Sequence, residues 1–177
     1  LPALLAQCAQ QPTQLLVTPG RAAAATRSAW LDNLDEISLQ RLTHKREQLS
    51  NTYLPYCTQA AFDDMLWACD LNLVRGEDSF VRAQWAGRPF VWQAYAQHDG
   101  AHRAKLLAFL DRLLAGADQE VAQPLQALML AWNGFAPLPA VLPSQVPWQM
   151  HCEAWRDGLA TQPDLTTQLL GAVAKMR

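Results

Sequence analysis

The sequence predicts an α/β protein with a parallel sheet covered by helices on both faces, followed by an all-helical C-terminal third. Short apolar runs of strand length alternate with helical patterns up to about residue 97. The connections between them are short, and such alternation favours parallel strands joined by crossover helices. After residue 97 the pattern changes to amphipathic helices, with apolar residues three and four positions apart.

The first part of the chain contains two candidate strands. Residues 14–18 form a short apolar run that a Pro-Gly pair stops, which predicts a buried strand, and residues 49–56 are rich in strand-forming residues. Residues 1–11 place their apolar side chains on one helical face, and residues 22–34 are an alanine-rich helix candidate. Residues 35–47 are charged, and we interpret them as a surface segment leading into the second strand.

The middle of the chain repeats the alternation. Residues 60–69 carry apolar side chains at helical spacing and predict a helix. A strand is expected over residues 70–74, a helix over residues 79–86, and another strand over residues 90–92. Gly87 is expected to end the helix that precedes this last strand.

Four helical patterns make up the remainder of the chain. They cover residues 101–115, 120–132, 147–159 and 163–176, with a proline-rich loop before the third of them. The chain has 177 residues, which is enough for one sizeable core. It begins without a methionine, so we expect a piece of a longer protein.

Composition and charge exclude several classes of protein. The formal net charge is −2 and no basic stripe is present, so a nucleic-acid partner is not expected. No apolar run approaches the roughly 20 residues that cross a bilayer, so no membrane association is expected. The cysteines are scattered without metal-ligand spacing, which predicts buried free thiols and a cytoplasmic protein. They are Cys8, Cys57, Cys69 and Cys152.

The turn between the strand ending at residue 74 and the next helix is the candidate binding site. Helix amide groups are unpaired at such a turn and the helix dipole favours an anion. Arg75 offers a planar fork of donors to phosphate oxygens, and Gly76 lets the backbone approach a ligand. Ser79 is expected to cap the helix or to donate to a phosphate. The adjacent carboxylates of Glu77 and Asp78 favour a ligand that also carries hydroxyls or a cation.

A purely structural interpretation of this turn remains open. In that interpretation the Asp78-Ser79 pair only caps the helix, and Arg75 forms an internal ion pair with Glu77 or Asp78. A strand, a turn with one glycine and a helix is a weaker signal than a full phosphate-binding loop.

Three polar turns follow strands at the same predicted edge of the sheet. They cover residues 56–59, 75–79 and 93–97, and ligands of such sheets bind beyond the carboxyl ends of the strands. Their convergence strengthens the site hypothesis. Tyr95 and Gln97 are further candidate site residues.

Other conspicuous residues favour structural roles. His98 and His102 are four apart but lack a third ligand at metal-binding spacing, so a structural or solvent-facing role is expected. Ser79 lacks a nearby histidine that could activate it as a nucleophile. His151 and Cys152 are adjacent, which favours packing. Trp67, Trp85 and Trp92 are expected to be buried.

Residues 54–59, Leu-Pro-Tyr-Cys-Thr-Gln, and the run from Phe62 to Phe90 carry a specific resemblance. This run contains Arg-Gly-Glu-Asp-Ser-Phe-Val-Arg-Ala-Gln-Trp-Ala-Gly-Arg-Pro, from Arg75 to Pro89. It resembles the protein-arginine rhamnosyltransferases that modify bacterial translation elongation factor P. The resemblance covers most of the first 115 residues and is densest over residues 54–97.

The resemblance implies a glycosyltransferase of the GT-B arrangement, in which two Rossmann-like halves face a cleft. The C-terminal half of this family binds the donor dTDP-β-L-rhamnose, and the N-terminal half carries aspartates that activate the acceptor arginine. Transfer inverts the anomeric centre and needs no metal or other cofactor. The chain resembles only the donor-binding half, so we expect it to be inactive alone. Residues 1–115 would form the Rossmann-like nucleotide-sugar-binding domain, and residues 116–177 helices that pack on it.

The resemblance also assigns roles at the nucleotide and at the diphosphate. Tyr56 would stack on thymine and Gln59 would contact the base, mainly through its backbone. Arg75, Asp78 and Ser79 would hold the diphosphate or the adjoining sugar.

Glu77 would lie near the reaction centre and assist catalysis, while the main base would lie in the N-terminal half. Gly76 belongs to the same turn of the nucleotide-sugar site. Elongation factor P would be the acceptor protein. The alternatives are a glycosyltransferase that uses another nucleotide sugar and a non-catalytic module that binds a nucleotide or a protein.

Overall fold

A computed structural model describes Leu4, residues 11–31 and residues 48–176. The chain divides into two compact units, Leu1–Ala61 and Phe62–Arg177. The strands are β1 (Thr13–Val17), β2 (Leu49–Tyr53), β3 (Asn72–Arg75) and β4 (Phe90–Gln93). The helices are α1 (Arg21–Leu31), α2 (Gln59–Ala68), α3 (Asp78–Ala86), α4 (Ala101–Leu113), α5 (Gln119–Trp132), α6 (Gln145–Ala160) and α7 (Leu165–Lys175).

The first unit contains the parallel pair of β1 and β2. Thr13 lies opposite Leu49 and Val17 opposite Tyr53, so both strands run in one register over five residues. Helix α1 packs on β1, and the guanidinium of Arg27 lies 4.5 Å from the centre of the Tyr53 ring. The parallel pairing joined through a helical segment agrees with the predicted α/β class.

The second unit contains the parallel pair of β3 and β4. Asn72 lies opposite Phe90 and Arg75 opposite Gln93, so both carboxyl ends meet at one edge. Helix α3 packs on both strands, and α5 packs on β4. Consecutive side chains of a strand point to opposite faces, and Phe90, Val91 and Trp92 are all buried. Strand β4 is therefore covered on both faces, as the sequence predicts for a parallel sheet.

An aromatic cluster fixes β4 against the helices α3 and α4. The rings of Phe80 and Trp92 stack with centres 4.0 Å apart, and Phe109 meets both of them edge-on. Such pairs contribute about 0.5–1.5 kcal/mol beyond the area they bury. The cluster holds the first turn of α3 against β4.

A further helix packs within the same unit. Helix α6 contacts α3 and α5, and its Trp148 and Cys152 are buried. The expected domain boundary at residue 115 stays a prediction. No helix within the described residues is both long enough and apolar enough to cross a membrane.

Most element ends lie within a few residues of the sequence prediction, with instructive exceptions. The strand expected over residues 49–56 ends at Tyr53, before Pro55. Helix α2 begins at Gln59, so Asp63 lies beyond its first turn, where it forms an ion pair with Arg82. Gly87 ends α3 in the left-handed region at φ 63°, as predicted. The predicted segment 1–11, apart from Leu4 and Gln11, and the predicted segment 35–47 lie outside the described residues.

The expected burial of two tryptophans is wrong. Trp67 and Trp85 are 53% and 50% exposed, whereas Trp92 is 1% exposed. On each helix a residue next to the tryptophan in sequence is buried instead. It is Leu66 on α2 and Ala86 on α3. A helix buries only one stripe, so neighbouring positions separate into buried and exposed ones.

The expectation of buried thiols holds for only part of the cysteines. Cys152 is buried, and burial raises the pKa of its thiol to about 12. Cys69 is half-buried, and burial followed by the charge of Asp70 raises its pKa as well. Cys57 is exposed, because it lies in the loop after β2 and not on a core-facing element. Cys8 lies outside the described residues.

Candidate functional site

The turn after β3 is anchored from β4. The amide of Gly76 donates to the carbonyl of Gln93 at 3.0 Å. The indole Nε1 of Trp92 donates to the carbonyl of Gly76 at 2.7 Å in the buried interior. Gly76 adopts φ 83°, a conformation that other residues rarely take. The turn therefore depends on glycine and on a buried tryptophan donor.

Arg75 lies over an aromatic ring at the end of β4. Its guanidinium carbon is 4.7 Å from the centre of the Tyr95 ring. A Cβ atom at Gly76 would meet the Tyr95 hydroxyl at 2.5 Å, so the ring fills the space that glycine leaves. Within residues 48–176 no carboxylate forms an ion pair with Arg75, and its side chain is exposed. The guanidinium donors are thus available to an anion.

Glu77 pairs with a lysine from α4. The Lys105 Nζ lies 3.0 Å from Glu77 Oε1, and both side chains are about half exposed. Residue 105 is 28 positions further along the chain, so only the packing of α4 beside the turn brings it there. The structural interpretation of the turn predicted an ion pair between Arg75 and either Glu77 or Asp78. The structure instead pairs Glu77 with Lys105.

Asp78 belongs to a network of three charged side chains. Arg82 Nε donates to Asp78 Oδ2 at 3.0 Å, one helical turn away. The Arg82 Nη1 donates to both carboxylate oxygens of Asp63 on α2, at 3.0 and 2.8 Å. The hydrogen bonds that Arg82 donates, first to Asp63 and then to Asp78, raise the pKa of its guanidinium. The network ties the start of α3 to α2 and holds one edge of the Asp78 carboxylate.

Ser79 does not cap the helix. Helix α3 begins at Asp78, and the residue before it, Glu77, makes no side-chain capping bond. The Ser79 hydroxyl donates to the carbonyl of Arg75 at 2.7 Å and closes the turn. No side chain of the described part caps the first amides of α3, so these amides remain available to an acceptor.

The polar turn after β4 lies at the same edge as the turn after β3. The Tyr95 ring contacts Arg75, whereas the amide of Gln97 donates to His102 Nδ1 at 3.2 Å. His98 is exposed. No group of three or more possible metal ligands occurs among the described histidines, cysteines and acids. Two of the three predicted turns are therefore brought together within the second unit.

The third predicted turn lies in the first unit. The ring of Tyr56 is 88% exposed. Gln59 is the exposed first residue of α2, and the Thr58 hydroxyl just before it accepts from the amide of Ala61 at 3.2 Å. The expected contacts of Tyr56 and Gln59 with a base stay predictions.

The sequence did not indicate which cations form ion pairs with Glu77 and Asp78. Asp78 and Arg82 are four positions apart on one helix, a spacing typical of ion pairs that could have been noticed. Asp63 and Lys105 come from other helices, so no local pattern points to them.

Two features of the second unit lie away from this edge. His151 Nε2 forms a hydrogen bond with the carbonyl of Leu113 at 2.8 Å, which agrees with the packing role expected for it. A shallow cavity of about 280 Å³ lies between α4 and α6, and its lining includes Arg112 and Trp155.

Comparisons with known proteins identify the family. Residues 1–174 match the family described as Elongation-Factor P (EF-P) rhamnosyltransferase EarP. The chain belongs to this family. The resemblance seen in the sequence is therefore confirmed, and it extends beyond the densest region of residues 54–97 to nearly the whole chain.

Curated relatives of the chain are named as protein-arginine rhamnosyltransferases. A protein-arginine rhamnosyltransferase of Pseudomonas aeruginosa is 42% identical over 170 residues, which cover 92% of this chain and 43% of the relative. The Pseudomonas putida relative is 40% identical with the same coverage. A Neisseria meningitidis relative is 36% identical over 131 residues, covering 69% of this chain and 34% of the relative. The chain thus spans less than half the length of these relatives.

A solved structure supports the same family. It is described as "Structural basis for EarP-mediated arginine glycosylation of translation elongation factor EF-P". The TM-score is 0.70 at 33% sequence identity, and the match covers 99% of this chain and 56% of that one. The mixed α/β fold with parallel strands is therefore shared with a member of the family.

Proposed function

We propose that this chain is the donor-binding part of an inverting glycosyltransferase. The full enzyme would transfer L-rhamnose from dTDP-β-L-rhamnose to an arginine side chain of bacterial elongation factor P. Family membership supports the reaction class and the acceptor. The observation that carries the donor site is an exposed Arg75 without a carboxylate partner in the described chain, beside the open start of α3.

The proposed architecture is the C-terminal half of a GT-B glycosyltransferase. Parallel strand pairs joined by helices, with β4 covered on both faces, fit a Rossmann-like domain. Ligands of such domains bind at the carboxyl ends of the strands, where the turns after β3 and β4 lie. In this proposal the relatives' additional length corresponds to the half that carries the acceptor site.

The donor would be held by groups of different chemistry. Arg75 and the first amides of α3 would bind the diphosphate, since a guanidinium fork and unpaired amides both suit phosphate oxygens. Asp78 and Ser79 would contact the diphosphate or the sugar hydroxyls, with Gly76 allowing close approach of the backbone. Tyr56 would stack on thymine, and Gln59 would contact the base.

The proposed mechanism places charge stabilisation in this chain. As the glycosidic bond breaks, the leaving dTDP gains negative charge, which Arg75 and the α3 amides would stabilise in place of a metal ion. The acceptor guanidinium is cationic and resists deprotonation, so carboxylates must orient and activate it. Glu77 would assist, and the main base would be supplied by the other half of the enzyme. This chain alone is therefore expected to bind donor without catalysing transfer.

The proposed cellular location is the cytoplasm. Cys57, Cys69 and Cys152 are free thiols, which suit a reducing compartment. The proposed partners are dTDP-rhamnose and elongation factor P, without nucleic acid or membrane.

Calorimetric titration of the chain with dTDP tests the donor site. The unaltered chain should bind dTDP, and Arg75→Ala should bind about ten- to a hundredfold more weakly, because a charge-assisted hydrogen bond is lost. Arg112→Ala is the matched control. It removes an exposed arginine near the C-terminal end of α4 and should leave dTDP binding unchanged. No binding by the folded, unaltered chain would refute the proposal.

A glycosyltransferase with another nucleotide sugar is the second candidate. The diphosphate contacts of Arg75 do not distinguish between nucleotides, whereas a base contact would. Competition of dTDP with UDP, GDP and ADP separates the candidates, since preference for one of the others would change the proposed donor.

A further inference from the structure

The charge of Glu77 poses a problem for the proposed site. A dTDP diphosphate carries negative charge and would bind beside the start of α3, where the carboxylates of Glu77 and Asp78 also lie. The negative charges of the diphosphate and of these carboxylates repel each other, and the repulsion is strongest at low ionic strength. A diphosphate site here therefore needs cationic side chains that neutralise these carboxylates.

The structure contains a cation in the required place. Lys105 Nζ lies 3.0 Å from Glu77 Oε1, reaching it from α4. The bond uses one oxygen of the carboxylate and leaves Oε2 free of this contact. Asp78 already has Arg82 as a partner, although Arg82 is shared with Asp63. Lys105 is therefore the cation that neutralises the Glu77 carboxylate.

We propose that Lys105 is a positioning residue of this site. It neutralises Glu77 and holds the carboxylate at the start of α3, so that a diphosphate binds next to an acid while Arg75 remains available to it. The inference rests on the proposed function and adds a residue that the sequence did not indicate. Lys105 acts through Glu77 and not through contact with the reacting atoms.

The test is the replacement Lys105→Gln in the 177-residue chain. Removing the ammonium leaves Glu77 with an uncompensated charge, so dTDP should bind about three- to tenfold more weakly at low ionic strength. The loss should be smaller for dTMP and absent for thymidine, and it should shrink as salt is added. Calorimetry measures the two nucleotides, and ligand-detected NMR measures thymidine.

Companion variants separate an electrostatic role from a structural one. Lys105→Arg keeps the charge and should retain most of the dTDP affinity. The double replacement Glu77→Gln with Lys105→Gln removes both charges and should restore the affinity lost in Lys105→Gln. Arg112→Gln, which removes an equal charge at the far end of α4, should leave dTDP binding unchanged. Circular dichroism confirms that each variant is folded.

The possible outcomes distinguish this inference from the function on which it rests. If the unaltered chain does not bind dTDP, the proposed function fails and the inference fails with it. If the unaltered chain binds dTDP and Lys105→Gln binds it equally well, the inference alone is overturned. It is also overturned if Lys105→Gln weakens thymidine and dTDP equally, or if the double replacement restores nothing.

Discussion

Helices α5 and α7 carry the same kind of sequence pattern and have opposite surroundings. In α5 the apolar positions are spaced by three and four residues, and four of them are buried in the second unit. In α7 apolar residues recur four positions apart, yet none of them is buried. The buried positions are Val121, Leu125, Leu128 and Met129, and the exposed ones are Leu165, Leu169, Leu170 and Val173.

The difference between these helices shows what an amphipathic pattern determines. Spacing fixes which side chains share a face, because an α-helix repeats every 3.6 residues. Whether that face is covered depends on the element that lies opposite. For α5 this element is β4, whose Trp92 amide donates to the sulfur of Met129 at 3.2 Å. The comparison between α5 and α7 leads to four tests of stability.

The largest effect is expected at the centre of α5. Leu128 is fully buried, so Leu128→Ala removes apolar contacts and leaves a cavity. The free energy of unfolding should fall by about 2–5 kcal/mol. Urea denaturation followed by tryptophan fluorescence measures it, and a loss below 1 kcal/mol would mean that α5 does not form part of the core as described.

The residue that follows α5 should have the next largest effect. The side chain of Asn133 donates to the carbonyls of Trp92 and Met129 and accepts from the amide of Ala94, at 2.8–2.9 Å. Asn133→Ala removes these three side-chain hydrogen bonds to partly buried groups, which should cost about 1–3 kcal/mol.

The stability of Asn133→Ala is measured by the same denaturation. Gln123→Ala, at an exposed position of α5, is the control and should change little. Equal stabilities of the two variants would show that the Asn133 bridge between α5 and β4 contributes nothing.

A smaller, pH-dependent effect is expected at the start of α7. Asp164 accepts from the hydroxyl and the amide of Thr167, and these bonds lower the pKa of its carboxyl below the ordinary 3.8. The charged cap stabilises α7 fully above pH 3.8, and this contribution disappears as the pH falls through the lower folded pKa.

Amide exchange of the first turn of α7 measures this effect. Protection should stay constant down to about pH 4 and decline below it in the unaltered chain, and it should already be low at about pH 5 in Asp164→Ala. Asp111→Ala, at an exposed position of α4, is the control. Undiminished protection in Asp164→Ala would contradict a capping role.

The smallest effect is expected on the exposed face of α7. Leu169 is 57% exposed, so Leu169→Ala should change the free energy of unfolding by no more than about 0.5 kcal/mol. Comparison with Leu128→Ala isolates the effect of burial on the free energy of unfolding, since the residue type and the substitution are the same. A loss comparable to that of Leu128→Ala would mean that this face is covered in solution.

Much of the candidate site follows from local sequence. The strand, the turn with Gly76 and the helix after it were expected from residue order alone, although the helix begins at Asp78 and not at the expected Ser79. The parallel pairing of β3 with β4 also places Tyr95 beside Arg75, as the convergence of polar turns suggested. The contributions of Tyr56 and Gln59 to a nucleotide site stay predictions.

The failures of sequence reasoning have one physical origin. Trp67 and Trp85 were expected in the core because their positions follow the predicted core faces of their helices, but these helices bury neighbouring positions instead. Cys57 was expected to be buried, but it follows β2 in an exposed loop. Each of these outcomes depends on which face of an element meets another element, and hydrophobicity alone does not specify that.

The sequence by itself determined the α/β alternation and the order of charged residues in the turn, because both depend on neighbours along the chain. Only the tertiary structure decided how those charges are paired. Glu77 meets Lys105 and Asp78 meets an Arg82 shared with Asp63, so Arg75 keeps its donors free of them. Lys105 and Asp63 come from helices distant in sequence, and a charge selects its partner by proximity in space.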